Sequence, residues 1–236
     1  MEKEKTRANL LRAISHDIRT PLTSIVGSAS GILENQKVLT QEREMELVQD
    51  IKDEAQWLIR IVENLLSVTR INGENARIDT EDEVVEEIIS SAVIKFSKRF
   101  PEASVEVKMP EEFLMVAMDG VLIEQVLVNL LENAVLHGKT YTKIWIVVIH
   151  TPGRVEIAVE DDGQGIKESV LPVMFEGKIS SDEEESDSKR NMGIGLSVCH
   201  SIVKAHKGGM HAENRAEGGA RISFWLPMNE EDTDGY

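Results

Sequence analysis

Apolar residues recur at alternating steps of three and four through the amino-terminal third of the chain. Leu11, Ile14, Ile18, Pro21, Ile25 and Ile32 form one seam, with Ser28 at its polar step. That spacing predicts a helix from about Lys3 to Asn35. Val48, Ile51, Ala55, Leu58, Val62 and Leu65 form a second seam, predicting a helix that ends near Ile71, ahead of the C-cap pair Asn72-Gly73. Residues 36–40 read as the connection, with Thr40 as N-cap and Arg43 where a capping-box glutamate would sit. Both helices carry apolar positions beside the seam: Leu10, Leu22, Val26, Ala29 and Leu33 on the first, Leu47, Ile59, Ile61 and Leu66 on the second. One helical hairpin cannot bury a stripe that wide, so two copies are expected to pair as a homodimer through residues 1–75.

Beyond residue 75 the pattern alternates between strand and helix. Short strands are expected at Arg77–Asp79, Ser104–Lys108 and Phe113–Met118, with helices at Asp82–Ser97 and Asp119–Leu136. Thr142–Ile149 and Arg154–Asp161 read as paired strands around Thr151-Pro152-Gly153. A helix over Gly193–His206 and strands at Gly209–Glu213 and Arg221–Leu226 follow. The expected class is α+β: a mixed sheet with helices on one face, over residues 76–228. The acidic tail 229–236 is expected to be disordered.

Charge narrows the functions available. The chain has 236 residues, a net charge of −16 and 41% hydrophobic residues. Such acidity argues against a nucleic-acid-binding surface and against electrostatic docking to anionic membranes. The one cysteine, Cys199, cannot form an intramolecular disulfide and reads as a small core residue. No apolar run approaches the roughly 18–20 residues of a membrane span. The chain opens directly into a helical pattern, as a piece of a longer protein would.

Four segments carry chemistry. In Ser15-His16-Asp17-Ile18-Arg19-Thr20-Pro21-Leu22, the seam phase puts His16 at the outermost heptad position, beside Asp17 and one turn before Thr20. Pro21 leaves the carbonyl of Asp17 without its helical donor, so a bend is expected there. Asn129 and Asn133 are four residues apart and share a helix face, where two amide oxygens suit a hydrated magnesium ion. Asp161-Asp162-Gly163-Gln164-Gly165 follows a strand: a carboxylate that can accept from an exocyclic amine, then glycines that let backbone approach a flat ring. Gly193-Ile194-Gly195-Leu196 is expected to open a helix and offer its N–H groups to phosphates. Between the last two lies Ser180–Ser188, too poor in apolar groups to order itself and placed like a lid. Each segment alone has a plain alternative: a polar helix face, a turn, a solvated loop.

In this order and spacing the chain resembles the transmitter of a sensor histidine kinase, from about Leu10 to Pro227. His16–Pro21 is similar to the family's H-box, Asn129–Ala134 to its N-box, Asp161-x-Gly163-x-Gly165 to G1 and Gly193-x-Gly195-Leu196 to G2. Phe175 stands at the F-box. Asn214-Arg215-x-Glu217-Gly218-Gly219-Ala220 looks most like the potassium-responsive sensor kinases of the Kdp system. The resemblance implies a phosphoacceptor hairpin forming a dimeric four-helix bundle, followed by a Bergerat-type α/β sandwich that binds ATP and Mg²⁺. It implies His16 as the phosphorylated group, Asp17 as its orienting partner and Thr20 as the residue that places water for phosphatase action. It implies Asp161, Gly163 and Gly165 at adenine, Asn129 and Asn133 on the metal, and Lys189, Arg190, Gly193, Gly195 and Leu196 at the phosphates and lid. The implied partners are a second copy and a response-regulator receiver domain; the implied place is the cytoplasmic side of a membrane-bound sensor.

Some positions depart from the pattern. Leu136 stands where a basic residue often touches phosphate, His137 where an aromatic is common, Lys178 where the second F-box aromatic is usual, and Asn191 where G2 often begins with glycine. The Leu136 and F-box departures favour the alternative of a degenerate module that docks a regulator with little catalysis, and the intact His16, Asp161 and Asn133 oppose it. A third possibility is a mechanical ATPase of the same fold, but the glutamate that activates water in gyrase-like enzymes is replaced here by Asn129, which is no base.

Overall fold

A computed structural model gives the fold of residues 2–35, 38–72, 78–138, 143–175 and 189–228; the side chains of 2–17, 68–70, 72 and 189–194 lie outside the description. The chain divides into two compact units, Met1–Leu66 and Ser67–Tyr236. The expected lid at 180–188 and tail at 229–236 fall outside the described residues.

The first unit is the helical hairpin. α1 runs Glu2–Asn35 and α2 runs Gln41–Asn72. Thr40 caps α2 as expected: its Oγ1 accepts from the Arg43 N–H at 3.3 Å, and its carbonyl from Glu44 at 3.0 Å. α1 continues through Pro21, which is buried. The Thr23 hydroxyl donates to the Arg19 carbonyl at 2.9 Å beside the opened ladder.

The seam of α2 differs from the one its spacing predicts. Trp57 and Ile61 are its buried apolar residues, packed with Ile18 of α1 and with Leu58 and Leu65. Val48 and Val62, assigned to the seam, are instead exposed beside Met45, Ile59 and Leu66. The apolar surface of α2 therefore splits into two stripes. One meets α1 and the other, Met45 and Val48 near its start and Ile59, Val62 and Leu66 near its end, is exposed. Spacing alone cannot separate two adjacent stripes when both are apolar. On α1 the expected seam holds where side chains are described: Pro21 is buried and Ile18, Ile25 and Ile32 are half-buried, whereas Leu22, Val26 and Leu33 are exposed.

The second unit contains β1 (Glu81–Val84), α3 (Val85–Arg99), β2 (Val105–Lys108), β3 (Met115–Met118), α4 (Gly120–Gly138), β4 (Ile144–Thr151), β5 (Arg154–Asp161), α5 (Lys189–Ala205), β6 (Gly209–Asn214) and β7 (Ala220–Pro227). Five strands form one mixed sheet in the order β2-β4-β5-β7-β6, with β2 and β4 parallel and the other pairs antiparallel. β1 and β3 pair antiparallel as a separate two-stranded sheet, not as part of one sheet. Helix α4 packs between α3 and α5, and α4 and α5 lie on the five-stranded sheet.

Three boundaries moved for physical reasons. Residues 82–84 are strand where a helix was expected, and no strand is described at 78–79. Glu81-Asp82-Glu83 has the acidity of a helix start, but pairing with Met115–Met118 sets its conformation. Helix α3 then begins without a side-chain cap; its first N–H, at Val85, donates to the Leu114 carbonyl at 3.0 Å. Phe113 lies outside β3 and is exposed. Helix α5 starts at Lys189, four residues before Gly193. Lys189-Arg190-Asn191-Met192 carries no proline or glycine to stop it, so Gly193 and Gly195 sit within the helix and do not open it.

On β5, Val155, Ile157 and Val159 are buried on one parity, which Asp161 continues, and Ala158 is buried on the other. Helix α4 is apolar on almost every side because it is buried on almost every side; Leu122, Ile123, Val126, Leu127, Leu130 and Leu131 all lie in the core. Asp119 caps it, Oδ1 accepting from Leu122 at 3.1 Å. The Asp119 N–H donates to Nε2 of buried His206 at 3.0 Å, and Nδ1 of His206 lies 2.8 Å from the Ile202 carbonyl. This bridge joins the start of α4 to the end of α5. Asp119→Ala should destabilise the second unit by about 1 kcal/mol, the usual cost of a lost N-cap, measured as a lower denaturant midpoint with an unchanged slope.

Candidate functional site

The candidate site gathers where the carboxyl end of β5 meets the carboxyl end of α4. Asp161 is buried there, 7% exposed. Its Oδ1 accepts from Gly163 N–H at 2.8 Å and Ala220 N–H at 3.4 Å. Among the described residues Oδ2 has no hydrogen-bond partner. Burial pushes the carboxyl above the ordinary carboxylate range; the two N–H donors and the Arg215 charge pull it part of the way back, and Asp162 works against them.

The loop after Asp161 is stapled to α4. Gln164 N–H donates to the Gly138 carbonyl at 3.2 Å, and its side-chain amide to the His137 carbonyl at 2.9 Å. A Cβ at Gly163 would sit 2.5 Å from the Gly138 oxygen, so only glycine fits. Gly165 has φ +75°. Asn214, at the end of β6, brackets the loop: Oδ1 accepts from Ile166 N–H at 2.6 Å and Nδ2 donates to the Ile166 carbonyl at 2.7 Å.

Asn129 and Asn133 are both buried on α4. The Asn129 amide donates to Cys199 Sγ at 3.6 Å, and Gln125 donates to its Oδ1 at 3.5 Å. Cys199 is a core residue as expected; burial pushes its thiol up to about 12, so it stays neutral. Nδ2 of Asn133 is buried without a partner among the described residues. Between the two asparagines in sequence, Glu132 is buried and paired with Arg99 Nη1 of α3 at 2.6 Å. Phe175 packs on the core and stacks on His200 at 5.8 Å between ring centres. Leu196 is buried, whereas a Cβ on Gly195 would meet nothing within 4 Å among the described residues.

These features fit a nucleotide. A buried carboxylate with one open oxygen, an orphaned buried amide and a helical glycine facing open space are poorly explained by packing alone. Asp161, Gly163, Gly165, Asn129, Asn133, Gly195 and Leu196 all lie in the second unit. The side chains of His16, Asp17, Lys189 and Arg190 lie outside the described residues, as does the local setting of Gly193. Thr20 is half-buried on α1. The sequence reading missed the grip of Asn214 on the loop, the Cys199–Asn129 contact and the Arg99–Glu132 pair. Only the Asn-Arg-x-Glu-Gly-Gly-Ala motif signalled any of them.

Residues 118–230 match the family described as Histidine kinase-, DNA gyrase B-, and HSP90-like ATPase. Residues 6–74 match the His Kinase A (phospho-acceptor) domain. The chain belongs to the sensor histidine kinases. It carries the transmitter domains of that family, the expected α+β fold included. It is 44% identical over 227 residues to Sensor protein KdpD of Clostridium acetobutylicum, and 33% identical over 228 residues to that of Escherichia coli. Each alignment covers 96% of this chain and 25% of the relative, so the chain spans about a quarter of those proteins. The fold is also that of histidine kinase ThkA, solved in complex with response regulator protein TrrA, at TM-score 0.71 and 22% identity over 98% of this chain and 64% of that one. Histidine kinase AdeS of Acinetobacter baumannii matches at TM-score 0.66 and 22% identity over 91% and 98%.

The raised carboxyl of Asp161 has a consequence for this kinase domain. A folded-state pKa above the unfolded one favours folding below the ordinary carboxylate range, and that contribution is lost as pH rises through the raised value. At neutral pH the ionised Asp161 therefore costs stability. Asp161→Asn should melt above wild type at pH 7, and the gap should close as pH falls toward about 4, followed by thermal unfolding of both proteins across that range.

Proposed function

We propose that the chain is an ATP-dependent protein histidine kinase that phosphorylates its own His16 and passes the group to an aspartate of a response-regulator receiver domain. The observation that carries this reading is the pairing in one chain of a phosphoacceptor segment holding His16 and an ATPase segment holding the half-satisfied Asp161. Asp161 accepts from the exocyclic amine of adenine through Oδ2, while Gly163 and Gly165 bring the loop backbone against the base. Asn129 and Asn133 would hold Mg²⁺, which when bound neutralises phosphate charge as the phosphoryl group leaves. Gly195 leaves room beside the phosphates, Leu196 anchors that turn of α5 in the core, Gly193 gives the lid a hinge, and Lys189 and Arg190 offset phosphate charge.

His16 attacks in line through Nε2. The N–P bond forms as the bond from the γ-phosphorus to its bridging oxygen breaks, and ADP departs. The attacking nitrogen must be unprotonated. Asp17 holds the Nδ1 proton and steadies the imidazolium that forms, as the carboxylate does in a Ser-His-Asp triad. Thr20 places water for the reverse task, removal of phosphate from the regulator. The replacement of a glutamate base by Asn129 favours transfer to histidine over hydrolysis.

Residues 1–75 act as a homodimer in this reading. Leu22, Val26 and Leu33 on α1 and Met45, Val48, Ile59, Val62 and Leu66 on α2 expose apolar surface that a second hairpin would cover. The ThkA complex supports a response regulator as partner. Among the described residues no helix is long and apolar enough to cross a membrane; we place the chain on the cytoplasmic side of a longer, membrane-bound sensor. Leu136, where a basic phosphate contact is common, favours the alternative of a regulator-docking module with little catalysis.

Incubation with labelled ATP and Mg²⁺ separates the two readings, since only the kinase yields an acid-labile, base-stable phosphoprotein. His16→Gln should abolish that label while nucleotide affinity stays within about twofold of wild type. Thr20→Ala should lower dephosphorylation of the regulator about tenfold or more and leave autophosphorylation within a few-fold, measured side by side on one preparation.

A further inference from the structure

Arg215 is the first residue after β6, in the turn that leads to β7. The turn is closed by Arg215 N–H to the Gly219 carbonyl at 3.0 Å and Gly218 N–H to the Arg215 carbonyl at 3.1 Å. The guanidinium reaches back to the end of β5, where Nη1 donates to the Asp161 carbonyl at 2.9 Å and to the Gly218 carbonyl at 3.4 Å. Nε lies 3.4 Å from Glu160, Nη2 lies 3.5 Å from Glu217, and the group sits 4.9 Å from the centre of the Trp145 ring. Glu160 and Trp145 belong to the outward parity of their strands, so Arg215 holds Asp161 from the face opposite its carboxylate. Gly219 closes the same joint: a Cβ there would lie 1.9 Å from the Asp161 oxygen.

We propose that Arg215 is a positioning residue for nucleotide selection, fixing the backbone of Asp161 so that Oδ2 meets an adenine amine and repels the guanine carbonyl. The proposal rests on the reading of Asp161 as the adenine acceptor. The physical argument is a lever. The Asp161 carboxylate projects from a strand end, and its direction follows the local φ and ψ. Four groups anchor the planar fork of Arg215, and the fork anchors that backbone. Lysine has the charge but not the fork, so it cannot bridge the carbonyls of Asp161 and Gly218 while stacking on Trp145. The nearby positive charge also favours the ionised carboxylate, against Asp162.

ADP and GDP differ at the base edge that Asp161 would read, so their affinity ratio reports its placement. Calorimetric titration of the whole chain with each nucleotide, on wild type, Arg215→Met and Arg215→Lys, tests the proposal. Wild type should prefer ADP. Arg215→Met should weaken ADP about tenfold, the worth of one hydrogen bond to a charged group, and leave GDP unchanged. Arg215→Lys should fall between the two and supplies the result if the Met variant fails to fold. A ratio unchanged from wild type in the folded variants, or equal weakening of both nucleotides, overturns the role of Arg215 while Asp161 keeps its own. A wild type with no preference for ADP overturns both.

Discussion

One carboxylate at the end of one strand organises the second unit. Asp161 follows Val155, Ile157 and Val159 on the face of β5 that points into the core. An ionised group there is costly unless it is hydrogen-bonded. Gly163 and Ala220 N–H groups supply two bonds to Oδ1. Neither donor could come so close if Gly163 or Gly219 carried a side chain, because each Cβ would run into backbone. The glycines around Asp161 are thus steric conditions for satisfying a buried charge. The oxygen they leave open is the one that our reading assigns to the adenine amine. The stability lost at neutral pH by keeping that oxygen unpaired is the kind of cost that functional sites carry.

The same logic extends into the helical layer. α4 is sequestered between α3, α5 and the sheet, so its polar residues stand out against an apolar background. Glu132 is paired with Arg99, and Asn129 is held between Gln125 and Cys199. Asn133 alone keeps an orphaned amide nitrogen among the described residues. The His206 bridge to Asp119 and the Gln164 bonds to His137 and Gly138 tie both ends of α4 to the rest of the unit. The asparagines therefore sit on a helix fixed at each end, the rigidity that our proposed Mg²⁺ site would need.

The hairpin answers a different problem. Its two helices bury Trp57 and Ile61 against Ile18 and still present a second apolar stripe to the outside. A single hairpin has too little interior to hide both stripes. Our reading of a dimer rests on that surplus, with the phosphoacceptor helix as part of the bundle wall.

The order of chemistry along the chain was legible in the sequence because motifs are local: the His16–Pro21 run, the paired asparagines, the Asp161 loop and the long helices all follow from short-range periodicity and residue type. Helices α1, α2 and α4 fell where periodicity put them, and Thr40 and Asp119 capped as their residue types predict. What failed was non-local. Glu81–Val84 reads as a helix start but became strand through pairing with a segment some thirty residues away. The inner stripe of α2 was one step from the predicted seam because only the partner helix selects between two apolar faces. No spacing rule places Arg215 on the carbonyl of Asp161, fifty-four positions earlier. Sequence by itself decided the long helices and the order of the motifs along the chain, since propensity and periodicity act over a few residues. Tertiary structure alone decided which charges are buried, which oxygens stay open and which distant side chain holds them, because those depend on surfaces that meet only when the chain has folded.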